Sequence, residues 1–328
     1  MYNEPQVSVV LPIYNGERYL VETLESILAQ KYADYEIVAV NDGSRDQSAE
    51  VVKRYLSSGR IRYFEQPNRG VANARNAAIQ CSTGRYIAFL DQDDLWLPGK
   101  LEKQVAYMQA HPEVALVHGP VECIDAEGTL ISCAGRVYVD DATGYCAEQL
   151  LVTNRIAVVA VMVRRSCLDA VGLLDQALAP ADDWDLWLRL AVRFPFGFIN
   201  EVLAKYRLHE TNESKNTLTM TLAEVRVLES FRARYPAVIE SADREAIDST
   251  MVACYTRAAE LLRQTGRERE ASTLCDRAQR LQRRIPGYYA DRLARLFPTS
   301  LQPYVRWYGR RLGGLIAGRR DPRQNAGE

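Results

Sequence analysis

The chain has the pattern of an α/β protein, a mostly parallel sheet flanked by helices, followed by an α-helical C-terminal extension. Three observations predict it. Short apolar runs alternate with helical stretches of about ten residues throughout the first half. The run Tyr86–Leu90 stops abruptly at three carboxylates, Asp91, Asp93 and Asp94, at the position where open α/β sheets bind ligands. From about Leu218 the pattern turns helical to the end.

Taken in order, Val7–Ile13 is an apolar run that predicts a first strand, and Tyr19–Gln30 places Leu20, Leu24, Ile27 and Leu28 on one helical face. Glu36–Val40 predicts a second strand, stopped by Asn41-Asp42-Gly43-Ser44. Asp46–Leu56 follows as a helix and Ile61–Phe64 as a third strand. Pro67-Asn68-Arg69-Gly70 is a loop, Val71–Gln80 a helix, and Tyr86–Leu90 the fourth strand. Right-handed crossovers put the ends of these strands on one edge, where Tyr14, Asp42 and Asp91 converge. Beyond Pro98, Lys100–Ala110 predicts a helix, Val114–His118 and Val158–Val163 strands, and Ser166 an N-cap for a short helix ending at Gly172. Asp182–Phe194 predicts a further helix, followed by the segments Gly197–Asn200 and Val202–Tyr206. Met251–Gln264 and Glu268–Arg284 form a helical hairpin turned at Thr265-Gly266. Two domains are expected, residues 1–217 and a helical, basic extension over 218–328.

Hydrophobic residues make up 47% and charged residues 25% of the 328 positions, the proportions of a globular protein in water. The seven cysteines form no CxxC pair, and their odd number suits a reduced cytosolic compartment better than a disulfide framework. The N-terminus lacks the basic segment and long apolar core of a signal peptide. Nowhere do about 18 apolar residues run together, which argues against a membrane-spanning helix. The net charge of −1 conceals a split, because residues 277–328 carry twelve arginines and three acids. Such a tail suits an anionic surface.

Two common nucleotide signatures are missing: no GxxxxGK[ST] occurs, and Pro12-Ile13-Tyr14-Asn15-Gly16 stands where a GxGxxG would follow the first strand. The carboxylate cluster points elsewhere. Asp91 and Asp93 lie two residues apart, so in extended backbone they face the same way and can share one cation. Magnesium and manganese favour such oxygen ligands, completed by substrate phosphates. A solvated acidic turn is the plainer alternative.

Several segments in order resemble a known family: Val7-Ser-Val-Val-Leu-Pro-Ile-Tyr-Asn-Gly16, Val40-Asn-Asp-Gly-Ser44, Asn68-Arg-Gly-Val-Ala-Asn-Ala-Arg-Asn76 and Phe89-Leu-Asp-Gln-Asp-Asp94. Val163-Arg-Arg-Ser166, Asp182-Asp-Trp-Asp-Leu-Trp187 and Tyr206-Arg-Leu-His209 continue the series. Together they are similar to the motifs of glycosyltransferase family 2, inverting enzymes of the GT-A fold, and leave the C-terminal third unmatched.

The resemblance implies roles. Pro12 and Tyr14 leave the first strand where a flat base can stack, although a tyrosine there can equally be core. Asp42 accepts hydrogen bonds from the uracil or ribose of a nucleotide, or is only a turn residue. Asn68 and Arg75 lie in the third motif, and Arg69 or Arg75 can face a diphosphate or serve as surface charge. Asp91 and Asp93 correspond to the pair that holds Mn2+ or Mg2+ against the phosphates, and Asp94 to a helix cap or supporting group. His209 falls in a motif associated with metal or diphosphate contact. In Asp182-Asp183 the second carboxylate corresponds to the family's general base, and the helix it opens would keep it ionised at neutral pH. Asp182 departs from the family's usual Glu.

The implied activity is transfer of a sugar from a nucleotide donor, UDP-linked by preference, to a hydroxyl of a saccharide or lipid-linked acceptor. Surface polysaccharide or glycolipid synthesis at the cytoplasmic face of the membrane is the expected setting. Tyr288, Tyr289, Phe297, Tyr304, Trp307 and Tyr308 interleave with arginines in the tail, as suits contact with anionic lipid or a packed helical appendage. No fold signature supports nucleic-acid binding. A nucleotidyltransferase would use similar parts but needs no Asp182-Asp183 pair, and a non-catalytic sugar or lipid-carrier binding module would not need the retained carboxylates.

Overall fold

The computed structural model describes residues 4–133, 142–241 and 243–283. The first half runs β1 (Val7–Ile13), α1 (Leu20–Leu28), β2 (Tyr35–Asn41), α2 (Ser48–Tyr55), β3 (Ile61–Glu65), α3 (Val71–Cys81) and β4 (Tyr86–Phe89). It continues through β5 (Leu95–Trp96), α4 (Lys100–Ala110), β6 (Leu116–His118), β7 (Val121–Ile124), β8 (Leu130–Ile131) and α5 (Ala147–Val152). Then come β9 (Met162–Arg164), α6 (Arg165–Val171), α7 (Asp182–Ala191), β10 (Phe196–Phe198) and β11 (Ala204–Arg207). The described residues end with α8 (Thr217–Arg234), α9 (Pro236–Ser241), α10 (Arg244–Gln264) and α11 (Glu268–Gln282).

A seven-stranded sheet in the order β10-β6-β9-β4-β1-β2-β3 forms the centre. β1 pairs in parallel with β2 and β4, and β2 with β3. Every residue of β1 and β2 is buried, as parallel strands with both faces covered require. Their polar residues are paired, the Ser8 hydroxyl donating to Glu36 at 2.7 Å and Asn41 Nδ2 to the Tyr63 hydroxyl at 2.8 Å. Pro12 is tolerated in this central strand because β4 pairs with β1 only through Val10. Its missing N–H therefore lies beyond the end of that ladder. Ile13 lies opposite Asn41, so Tyr14 and Asp42 leave the same edge, and the loop after β4 leaves beside them.

The sheet is mixed rather than uniformly parallel. β9 runs antiparallel to both β4 and β6, and the first three residues of the expected 158–163 strand form a 3-10 turn, Val158–Ala160. Ser166 is not an N-cap: α6 begins at Arg165, and Arg164 precedes it without a side-chain cap. A second sheet, β5-β11-β7-β8, joins strands as short as two residues across long separations. β11 pairs antiparallel with β5 and parallel with β7, which brings the end of β11 against the loop after β4.

The cysteine count suited a reduced compartment better than a disulfide framework, but Cys123 on β7 and Cys133 just past β8 form a disulfide, with Cα atoms 5.2 Å apart. Cys123 lies opposite Ile131 across the β7–β8 ladder, which carries Cys133 back within reach.

Two compact units divide at residue 238. α8, which the sequence places at the head of the extension, packs against α7 within the first unit. In the second unit α10 and α11 form the expected hairpin, turned at Gly266 with φ +75°. Ile247, Met251, Tyr255 and Leu262 of α10 and Ala271, Leu274 and Ala278 of α11 are buried. The tail aromatics from Tyr288 onward, and most of its arginines, lie outside the described residues.

Candidate active site

Asp91 leaves the sheet directly after β4 and meets Arg75 of α3, whose Nη2 donates to both carboxylate oxygens at 2.7 and 2.8 Å. The Nη1 of the same guanidinium reaches Asp182 at the start of α7, at 3.3 Å. Arg75 is 6% exposed. Burial opposes its charge, but the carboxylates of Asp91 and Asp182 outweigh burial and hold its pKa above the ordinary arginine value. The loop after β4 and the helices α3 and α7 are thus joined by one buried cation. Asp182 itself is fully buried, and burial raises its pKa despite Arg75.

Asp183 follows as the second residue of α7, its Oδ1 accepting the Trp184 N–H at 2.6 Å. The helix N-terminus was expected to keep it ionised at neutral pH. Instead burial, and then the negative charge of Asp182, push its carboxyl up to about 7, so that it is divided between both forms near neutrality. That is the range in which a carboxylate works best as a general base. Asp185, the nearest other carboxylate, is buried and bonded to Arg189 at 2.7 Å, which leaves it unsuited to take a substrate proton.

On the other side of the carboxylate loop, His209 Nε2 lies 2.8 Å from Asp93 Oδ2. His209 is oriented by Thr211 Oγ1 at its Nδ1, 2.9 Å away, and by the Tyr19 ring, with centroids 4.9 Å apart. Asn212 donates to the Arg207 carbonyl at 3.1 Å and reaches Asp93 at 3.4 Å. Arg207, fully buried at the end of β11, underpins the loop. Its Nε donates to the Asp93 carbonyl at 2.9 Å and its Nη2 to Glu22 at 2.7 Å, and its backbone N–H donates to Asp94 Oδ1 at 2.8 Å. Asp94 therefore supports β11 rather than capping α4, which begins after Gly99. Burial, together with Asp93 and Asp91, raises the Asp94 pKa well above the usual carboxylate range.

Asp93 and His209 offer an oxygen and a nitrogen donor side by side, a set that fits Mn2+ or Mg2+ when phosphates complete the shell. Asp91 lies in the same loop but is engaged by Arg75. Among the described residues no three His, Cys, Asp or Glu side chains are gathered for a metal on their own.

Of the residues expected on the nucleotide side, Pro12 is buried in β1, Tyr14 is 45% exposed and Asn68 is exposed. Asp42 is buried and already accepts three hydrogen bonds. Its Oδ1 takes Gln66 Nε2 at 2.7 Å and the Arg69 N–H at 2.9 Å, and its Oδ2 takes the Gly70 N–H at 2.8 Å. It ties the end of β2 to the loop before α3. Gly43 beside it has φ +76°, and a Cβ there would meet the Asn68 nitrogen at 2.8 Å, so only glycine fits.

Gln66, Gln92, Arg207 and Asn212 had no assigned role in the sequence. Arg207 and Asn212 had a signal, lying within or just past the Tyr206–His209 segment. Gln92 lies within the Phe89–Asp94 segment, but its partner Tyr14 is 78 residues away; Gln66 had no signal, its Asp42 partner lying 24 residues away.

The family model of glycosyl transferase family 2 matches residues 8–165. An Escherichia coli relative, the UDP-Glc:alpha-D-GlcNAc-diphosphoundecaprenol beta-1,3-glucosyltransferase WfgD, is 30% identical over 64% of this chain and 80% of its own length. The chain belongs to glycosyltransferase family 2. It spans only about a third of the length of longer family members, such as an uncharacterized glycosyltransferase from Rickettsia bellii, 32% identical over 30% of that protein and 64% of this one. The fold matches that of S. aureus TarS 1-349, solved with UDP-GlcNAc, at a TM-score of 0.62 and 17% identity, over 95% of this chain and 88% of that one. A mannosyltransferase from Pyrobaculum calidifontis, solved with GDP-Man and Mn2+, gives a TM-score of 0.54 at 20% identity, over 97% of this chain and 89% of that one. The GT-A fold follows.

Proposed function

We propose that this glycosyltransferase is an inverting, metal-dependent enzyme that moves a sugar from a UDP-linked donor to a hydroxyl of a saccharide or lipid-linked acceptor. The observation that carries this is the buried chain Asp91–Arg75–Asp182, which couples the carboxylate loop to the helix that presents Asp183. A donor anchored at one end and a proton acceptor at the other are thereby held in one frame.

Asp183 Oδ1 is taken by the Trp184 N–H, which leaves Oδ2 for the acceptor hydroxyl. Asp183 removes that proton as the acceptor oxygen bonds to the anomeric carbon, while the bond from that carbon to the diphosphate oxygen breaks on the opposite face. A bound Mn2+ or Mg2+ would be held by Asp93 and His209, with Asp91 beside them joined to Arg75, and would supply stabilisation for charge on the departing nucleoside diphosphate. Tyr14, exposed at the sheet edge beyond Pro12, offers a face for the base. Asp42, with Asn68 nearby, shapes the loop that receives the nucleotide.

The name of the E. coli relative supports UDP-glucose as a donor type and a diphosphate-linked lipid as an acceptor type. A role in polysaccharide or glycolipid synthesis at the cytoplasmic face of the membrane is consistent with the arginine-rich tail. Among the described residues no helix is long and apolar enough to cross a membrane. Residues 1–217 carry the chemistry in this proposal, with 218–328 as the extension. The test is a panel of UDP-sugars incubated with Mn2+ and a lipid-diphosphate sugar acceptor, with product anomers assigned by NMR. Transfer with inversion is expected. Retention of configuration, or no turnover of any UDP-sugar, would overturn the proposal.

A further inference from the structure

Gln92 sits between the two carboxylates of the Asp91–Asp93 pair, where the spacing alone assigns it nothing. Its side chain turns away from them and across to the end of β1. The Tyr14 N–H donates to Gln92 Oε1 at 2.7 Å, and Gln92 Nε2 donates back to the Tyr14 carbonyl at 2.8 Å. The carboxamide thus pairs with the Tyr14 backbone as one strand residue pairs with another, extending the sheet beyond the point where β1 and β4 part. Its own backbone is held as well, since the Thr23 hydroxyl of α1 donates to the Gln92 carbonyl at 2.8 Å.

The neighbouring residues make this contact distinct. Asn15, Gly16 and Glu17 also give their backbone N–H groups to side chains, at Ser44, Ser48 and Asp46, all in the segment after β2. Among the described residues, the hydrogen bonds from positions 14–17 to positions 91–94 are the two made by Gln92. Gly16 leaves space for it. A Cβ at Gly16 would lie 2.3 Å from Gln92 Oε1, and Gly16 shows no positive φ that would itself demand glycine. The absent side chain is explained by the carboxamide and not by the backbone.

We infer that Gln92 is a positioning residue that clamps the Tyr14 loop onto the Asp91–Asp93 loop, so that the face receiving the nucleotide base and the carboxylates serving its diphosphate form one preorganised platform. This rests on the nucleotide reading of Tyr14 proposed above. Preorganisation lowers the ordering cost of binding, so the clamp acts on donor affinity more than on turnover at saturation.

The experiment compares the wild type with Gln92→Ala, Gly16→Ala and the double variant. Calorimetry with UDP in the presence of Mn2+ reads affinity, hydrogen exchange reads the Tyr14 amide, and thermal melting monitors folding. Gln92→Ala should expose the Tyr14 amide to faster exchange and weaken UDP by roughly ten-fold, the scale of two lost hydrogen bonds. KM for the donor should rise, with kcat changed by less than about three-fold. Gly16→Ala alone should weaken UDP at least as much by displacing the carboxamide. In the Gln92→Ala background the same change should cost little, because the clash is gone. Unchanged Tyr14 exchange in Gln92→Ala, wild-type UDP affinity in that variant, or losses that simply multiply in the double variant would each overturn the clamp. A wild-type protein that binds no UDP sinks the donor reading itself, and with it the clamp's part in binding. Faster Tyr14 exchange in Gln92→Ala would then still show the contact.

Discussion

When Asp183 is replaced by asparagine, two observables should move in opposite directions, with turnover falling while the melting temperature rises. In the wild type, burial and the adjacent Asp182 push the Asp183 carboxyl from 3.8 up to about 7. An unfolded chain gives up that proton near 3.8, whereas the folded one keeps it until about 7. Stability contributed at this position is therefore greatest below about pH 4, falls as the pH rises, and is fully lost above about pH 7. At about 1.4 kcal/mol per pH unit, the interval sets a ceiling of about 4 kcal/mol. Partial solvent access and relaxation around Arg75 reduce the expected figure to about 1–2 kcal/mol. Asparagine keeps an Oδ1 for the Trp184 N–H, bonded at 2.6 Å, and carries no charge to bury. The variant should melt roughly 2–8 °C above the wild type near pH 8, and close to it near pH 4. Single-turnover transfer should fall by roughly 10²–10⁴-fold. The wild-type rate should drop about ten-fold per pH unit below about pH 7, a limb absent from the variant. Thermal melts in chelator across the pH range, with rapid-quench transfer assays beside them, decide it. Wild-type turnover in Asp183→Asn, or a melting point lower than wild type near pH 8, would refute the reasoning.

Asp93→Ala should abolish the enhancement of UDP affinity by Mn2+ while leaving the melting temperature near wild type, and calorimetry with and without metal reads both outcomes against the His209 contact at 2.8 Å. Arg207→Met should cost about 3 kcal/mol or more, since it strips the Asp93, Asp125 and Ala126 carbonyls of their buried donor. A melting point at least about 6 °C lower is expected, and a change under about 2 °C would contradict the role given to Arg207. Truncation after Arg283 removes nine arginines against three acids. It should abolish flotation with anionic vesicles, at about 1 kcal/mol for each well-placed arginine. Salt should weaken the binding of the full chain in the same assay.

The alternation of β1 to β4 with α1 to α3 was legible in the sequence because each element is encoded locally. Val7–Ile13 is a continuous apolar run, Leu20, Leu24 and Ile27 recur at helical spacing, and both patterns are buried as read. The convergence of Tyr14, Asp42 and Asp91 on one edge followed from topology alone, since parallel strands with right-handed crossovers share their C-terminal ends. Candidate site residues at strand ends were visible for the same reason. What tertiary structure decided has no local signal. Strands of two residues, such as β5 and β8, exist only because β11 and β7 offer them partners. Arg75 looked equally like a diphosphate ligand or a surface charge until folding placed Asp91 and Asp182, 16 and 107 residues away, on either side of it. The ionisation of Asp183 depends on burial and on a neighbouring charge, neither of which a helix-capping pattern reports. Cys123 and Cys133 meet because a hairpin turns between them, and Gln92 gained its role only when the end of β1 came within hydrogen-bonding distance. Sequence spacing determines which face a side chain takes along its own element. Only the packed chain determines what stands opposite that face, because contacts between distant segments form when the whole core closes and not before.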